Sequence, residues 1–194
     1  MEYFDSKSLH DIIFVEDIRN NYALTDDEKL MILEQAATAF TYIHDQEILH
    51  RDIKPGNISV NKNCLHVKIC DLGLASSKSI DKDLMSTRDD RLRGTYFFMA
   101  PGIYLTEKKT YSTKSEVWAF ACSIYEMFSL QCVWPVLRND AHYSTETTLS
   151  NCQVPPYEAV VPQVLHNAIK YSFMYEPIQR PEMCLFVKVL RARK

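Results

Sequence analysis

Leu30, Leu33, Ala37, Phe40 and His44 recur at alternating steps of three and four, with Ala36 and Ile43 beside them. That spacing predicts an amphipathic helix of about five turns. Thr25-Asp26-Asp27-Glu28 precedes it as a capping box, with acids where the helix dipole favours them. The period then changes. Leu65, Val67 and Ile69 alternate with His66 and Lys68, and Ile58-Ser59-Val60 stands before an Asn61-Lys62-Asn63 turn, so strands at Ile58–Val60 and 65–70 should pair as a half-buried hairpin. Residues 74–99 are polar and aperiodic and read as a long loop. Thr113-Lys114-Ser115-Glu116 is a second capping box, opening a run to Phe128 that is apolar nearly all round and should form a central, buried helix. Pro135, Pro155, Pro156 and Pro162 cut the following stretch into short pieces. Val164, Leu165, Ile169 and Phe173 mark one more helix before Pro177. The fold class is mainly α with a small β-hairpin.

Composition narrows the function classes. The 194 residues, 46% hydrophobic with eleven Tyr, nine Phe and two Trp, suffice for one domain with a substantial core. The net charge of −3 is interspersed, and the one basic cluster is Arg191, Arg193 and Lys194, so a nucleic-acid partner is not expected. The apolar run from Val117 to Phe128 is too short to span a membrane. The six cysteines show no Cys-x-x-Cys spacing and the start Met1-Glu2-Tyr3-Phe4-Asp5 is not a secretory signal, which points to reduced thiols and a cytoplasmic location.

The chemistry is concentrated in His50-Arg51-Asp52-Ile53-Lys54-Pro55-Gly56-Asn57, between the long helix and the hairpin, and in Asp71-Leu72-Gly73, which closes the hairpin. Any one of these is an ordinary turn residue, but the ordered set with these flanking elements is specific. It resembles the catalytic loop H-R-D-x-x-x-x-N and the later D-F-G of eukaryotic-type Ser/Thr protein kinases, with Leu for Phe. Gly94 to Pro101 resembles the end of a kinase activation segment, Glu116 to Phe120 the central helix behind the catalytic loop, and Gln179-Arg180-Pro181 the late arginine that pairs with that segment. Met1-Glu2-Tyr3-Phe4 with Ser8-Leu9 resembles the hinge and first helix of the C-terminal lobe. The resemblance implies one kinase C-lobe over residues 1–194: hinge and first helix at 1–14, catalytic loop at 50–57, activation segment at 71–102 and central helix at 114–128. It implies catalytic roles for Asp52, which would take the acceptor proton, and Lys54, which would neutralise the transferred group. Asn57 and Asp71 would be the Mg-ATP and metal positions, and Thr95 would touch Asp52.

Several departures shape the expected function. Residues 1–194 contain neither a G-x-G-x-x-G loop nor a Val-Ala-x-Lys strand, so the N-terminal lobe that clamps the phosphates is not represented. Gly102 replaces the Glu of Ala-Pro-Glu, which should leave Arg180 without its ion-pair partner. Glu116 replaces an Asp that bonds the catalytic-loop backbone, and its extra methylene should shift that bond. Ser59 makes the adenine floor polar, and the Tyr143–Leu149 stretch is short and polar where a substrate-docking helix is expected. Truncation at the hinge resembles the kinase homologues of baculoviruses, described as inhibitors of the kinases of translation initiation factor two alpha. On that reading the chain is non-catalytic, needs no cofactor, and binds the N-lobe of a host protein kinase through Tyr3, Phe4 and Leu72. The alternative is a Ser/Thr kinase, or part of one, that uses Mg-ATP when an N-lobe is supplied.

Overall fold

The structure is a computed structural model and describes residues 5–63, 65–77, 95–104, 111–134 and 154–193. Expectations that fall on Tyr3 and Phe4, on residues 78–94, or on Tyr143–Leu149 lie outside these residues. Strand β1 (Lys7–Ser8) leads into helices α1 (Leu9–Phe14) and α2 (Glu16–Tyr22), then α3 (Asp26–Asp45) and β2 (Ile48–Leu49). Next come β3 (Ile58–Val60), β4 (Val67–Ile69) and β5 (Ser76–Ser77). Helices α4 (Pro101–Tyr104), α5 (Thr113–Ser129), α6 (His166–Ser172) and α7 (Cys184–Ala192) follow. The described residues are mainly helical with two small antiparallel sheets, ordered β1-β3-β4 and β2-β5. None of the described helices is long and apolar enough to cross a membrane.

The local signals explain most of these boundaries. The Thr25 side chain accepts the Glu28 N–H and the Glu28 carboxylate accepts the Thr25 N–H, so the expected capping box starts α3. In the hairpin Ile58 faces Ile69 and Val60 faces Val67. The second strand begins two residues later than its alternation predicts, because Leu65 takes a left-handed conformation (φ 50°) that a strand cannot continue. The Asn61 side chain accepts the Asn63 N–H at 2.9 Å and turns the chain between the strands. Inside the stretch read as loop, Ser76–Ser77 pairs with Ile48–Leu49, and Tyr96–Phe98 forms a 3₁₀ turn.

Helix α5 is the axis of the core. Every residue from Ser115 to Met127 is buried, as its all-round apolar pattern predicts. Its Phe120 meets Phe40 of α3 edge-on at 5.8 Å and Phe186 of α7 at 5.2 Å. Phe40 also meets His50 at 5.8 Å, which joins this aromatic core directly to the loop that follows β2. The cap of α5 differs from the expected one. Ser112, not Thr113, is the N-cap: its side chain accepts the Ser115 N–H while Ser115 Oγ accepts the Ser112 N–H. Glu116 is thereby released from capping and turns inward.

Candidate active site

The loop between β2 and β3 is held from behind by two buried side chains. Arg51 adopts a left-handed conformation (φ 67°), uncommon for a residue with a side chain. Its N–H donates to Glu116 Oε1 at 2.6 Å, and Glu116 Oε2 accepts from His44 Nε2 at 2.6 Å. The longer carboxylate keeps the backbone bond and, with its second oxygen on His44, spans the loop and α3 together. His44 Nδ1 is buried and bonds no described group, so Nε2 is the ring atom that meets the carboxylate. His44 counts in the sequence as one more position on the core stripe of α3. A histidine at such a position is a signal for a buried partner, but the partner stands 72 residues away.

His50, fully buried, ties the loop to the hairpin. Its Nε2 donates to the Cys70 carbonyl at 3.0 Å, and its Nδ1 accepts the Asp52 N–H at 3.3 Å. The Cys70 N–H donates to the Asn57 carbonyl at 2.9 Å. Asp52, Asn57 and Asp71 are thus carried by one hydrogen-bonded frame.

Asp52 is buried and its carboxylate is saturated. Oδ1 accepts the Thr95 N–H at 2.9 Å and the Thr95 hydroxyl at 3.0 Å. Oδ2 accepts from the Lys54 ammonium at 2.7 Å and the Asn57 amide at 3.0 Å. Lys54 also donates to Thr95 Oγ1 at 2.7 Å. Burial alone would raise the Asp52 carboxyl. The hydrogen bonds from Lys54, Thr95 and Asn57, with the Lys54 charge, outweigh it and hold the group below its ordinary value. A carboxylate offers about four lone-pair sites, and all are taken, so an incoming hydroxyl must displace one donor. Lys54 is the donor free to move, since its side chain is 28% exposed and reaches from a flexible stem.

Asp71, Leu72 and Gly73 lie at the surface. Asp71 is left-handed (φ 61°), and its carboxylate accepts the Gly73 N–H at 3.3 Å. The Asn57 amide nitrogen is committed to Asp52, both to its side chain and to its carbonyl at 2.8 Å, which leaves the Asn57 side-chain oxygen for a cation. One amide oxygen and one exposed carboxylate suit Mg²⁺, which keeps several waters and takes its remaining ligands from substrate phosphates. No cluster of three or more His, Cys, Asp or Glu suited to a metal occurs among the described residues, so a closed all-protein metal cage is not what these residues build. Ser59, expected to make this floor polar, accepts from the Cys70 thiol at 3.3 Å.

Beside Lys54 and Thr95 a cavity of about 320 Å³ opens between α1 and the Tyr96–Phe98 turn, walled by His10, Phe14, Phe97, Phe98, Val133 and Trp134. Sequence reading did not anticipate the His10 and Phe14 wall, because α1 is too short to show a period. The Trp134 indole donates to the Phe97 carbonyl at 2.9 Å and fixes the wall.

Arg180 does not sit in an unsatisfied hole. It is 2% exposed and donates to the carbonyls of Met174 (2.7 Å), Tyr175 (2.8 Å) and Lys114 (3.3 Å), with its guanidinium 5.2 Å from the Trp118 ring centre. Burial lowers its pKa to about 10, which leaves it a cation at neutral pH. Three main-chain oxygens and an aromatic face replace the carboxylate that Gly102 lacks.

Comparisons with known proteins agree with this geometry. The family described as "Protein kinase domain" matches residues 1–188. A Drosophila melanogaster protein described as putative mitogen-activated protein kinase kinase kinase 7-like is 30% identical over 189 residues, covering 94% of this chain and 45% of that protein. Mouse serine/threonine-protein kinase Nek5 is 29% identical over 190 residues, 97% of this chain and 28% of the kinase. Mitogen-activated protein kinase 2 of Pneumocystis carinii is 32% identical over 150 residues, 77% and 40% of the respective chains. The chain spans less than half the length of each of these relatives.

Proposed function

Because this chain belongs to the protein kinase family, we propose that it is the lobe of a Ser/Thr protein kinase that receives the acceptor segment and takes the hydroxyl proton in phosphoryl transfer. The observation that carries this reading is the Asp52 carboxylate, buried, ionised and aimed by Thr95, Lys54 and Asn57. A Ser or Thr hydroxyl entering along the cavity beside Lys54 and Thr95 would donate to Asp52 Oδ2 as Lys54 withdraws. Asp52 then accepts the proton, and the Lys54 ammonium faces the charge that builds on the transferred group. Asn57 and Asp71 would hold Mg²⁺, and bound Mg-ATP supplies the phosphoryl group.

Catalysis of this kind is positioning and charge stabilisation, and residues 1–194 contain no lysine strand or glycine loop to fix the phosphates. The test therefore joins this chain behind the nucleotide-binding segment of a matched relative. The fusion should phosphorylate Ser and Thr in myelin basic protein, and Asp52→Asn should lower kcat by about 10²–10⁴-fold. A fusion that binds Mg-ATP and is folded yet transfers nothing would overturn the reading.

A second reading is favoured by one observation. Leu72 is 55% exposed beside the exposed Asp71, on the side of the lobe where kinase nucleotide sites face their N-lobe. On this reading the chain works in the cytoplasm by docking onto the N-lobe of another protein kinase, a kinase of initiation factor two alpha, and so sustains translation as the baculovirus homologues are described to do. Tyr3 and Phe4 would join Leu72 in the contact. Competing with a tethered lobe is hard, so the contact must extend beyond the ordinary lobe interface. Asp52→Asn would leave such inhibition intact, whereas Leu72→Glu would remove it. The opposite pattern returns the enzyme reading.

A further inference from the structure

Helix α1 has two lined faces. His10 and Phe14 wall the cavity beside Lys54, while Leu9, Ile12 and Ile13 face a separate, open cavity of about 330 Å³ bordered by α2, the start of α3 and the end of α5. Its floor is apolar: Leu9, Ile12, Ile13 and Met127 are each no more than 4% exposed. Its polar lining is Arg19, Asn20 and Lys29, with no carboxylate lining it among the described residues. Arg19 is braced across the cavity, Nη1 donating to the carbonyl of Ile13 at 3.2 Å. Lys29 lies over the Phe128 ring at 5.1 Å and pairs with Asp26 at 2.9 Å. The Lys29 side chain is 17% exposed and that of Asp26 69%, so water reaches the acid side of the pair and weakens it, and Lys29 can exchange Asp26 for another anion.

An apolar floor under two cationic side chains is complementary to one ligand chemistry. We propose that this cavity binds an aliphatic monocarboxylate, its tail against Leu9, Ile12, Ile13 and Met127 and its head on Arg19 and Lys29. The guanidinium fork matches a carboxylate in the plane, with Lys29 as the point charge beside it. The volume is at the lower end for small-molecule sites, which suits a tail of about eight to ten carbons. The site shares no lining residue with the cavity beside Lys54, and its occupation is independent of whether the chain transfers phosphate.

Titration calorimetry of the full 194-residue chain tests this with sodium decanoate, decanol and acetate. Decanoate should saturate one site with a Kd of about 0.1 mM or tighter; decanol should bind at least about tenfold more weakly, and acetate not measurably. Arg19→Glu and Lys29→Glu should each weaken decanoate by about tenfold or more, with far-ultraviolet circular dichroism unchanged. Lys54→Met, which removes the cation of the other cavity, should leave the decanoate isotherm as it is. Failure of the folded chain to bind decanoate, equal binding of decanol, indifference to both charge reversals, or loss of binding in Lys54→Met whose circular dichroism matches the wild type would each overturn the assignment.

Discussion

Asp52 and Glu116 are both buried carboxylates, and each is stabilised by a different kind of neighbour. Asp52 has three side-chain donors and one N–H around it, and its carboxyl is held below the ordinary value. A depressed carboxyl contributes stability that is fully present above the unfolded value, near 4, and is lost as pH falls through the folded one. Urea unfolding from about pH 6 to about pH 3 should therefore show the wild-type chain losing stability faster than Asp52→Asn below about pH 4. Parallel curves would mean that the donors do not stabilise the ionised group. At Glu116 the question is length. One oxygen reaches the Arg51 N–H and the other His44, both at 2.6 Å. Glu116→Asp cannot span both and should cost about 1–3 kcal/mol in urea unfolding, from the partner left unpaired. Amide exchange at Arg51 should quicken in that variant. A fully protected Arg51 amide in folded Glu116→Asp would contradict the role assigned to the longer side chain.

At the scale of elements, α5 is placed by its two ends. Its start is fixed by the Ser112–Ser115 box and by Arg180, which donates to the Lys114 carbonyl while the Lys114 ammonium donates to the Arg180 carbonyl at 2.8 Å. Its end is closed by Leu130 in a left-handed conformation (φ 56°), whose N–H donates to the Glu126 carbonyl. Ser112→Ala should cost about 1 kcal/mol, the usual worth of an N-cap side chain, whereas Thr113→Ala should cost clearly less. Thermal or urea unfolding of the two variants ranks them directly, and the reverse order would return the cap to Thr113. The same element explains why Glu116 is free for the loop: a serine at N3 completes the cap, so the acid that follows is not consumed by it.

For the whole molecule, the aromatic contacts Phe40–Phe120–Phe186 connect α3, α5 and α7, and Phe40–His50 extends them to the loop between β2 and β3. Phe120→Ala should cost about 3–5 kcal/mol, enough to threaten a fold of ordinary stability. Because His50 rests on the same cluster, hydrogen exchange at Asp52 should rise in any folded variant that shortens Phe40. Nucleotide binding is the other property of the whole. Asn57 and Asp71 are the proposed cation positions, but nothing in residues 1–194 supplies the glycine loop and lysine strand that hold phosphates in this family. Calorimetry of the 194-residue chain with Mg-ATP should give a Kd weaker than about 1 mM, beyond the ordinary range for enzyme substrates. Saturation at micromolar Mg-ATP would show that the lobe alone forms a nucleotide site.

Short-range pattern was enough to determine the helix at 26–45 with its cap, the buried helix near 115–128, the β3–β4 hairpin and the order of Asp52, Lys54, Asn57 and Asp71. Each depends on spacing over a few residues or on a motif whose members are neighbours in the chain. The tertiary structure decided what depends on groups far apart in sequence. It set the N-cap of α5 one residue earlier than the acid pattern suggests, with Ser115 completing the cap and Glu116 bonded to Arg51 and His44. It satisfied Arg180 with three carbonyls where the missing carboxylate of Gly102 implied a defect, since main-chain oxygens leave no trace in a residue code. It paired Ser76–Ser77 with Ile48–Leu49, a contact that no polar two-residue stretch announces. It also shaped both cavities along α1, because a six-residue helix is too short to display a period and its two faces become visible only when α2, α3 and α5 pack around it.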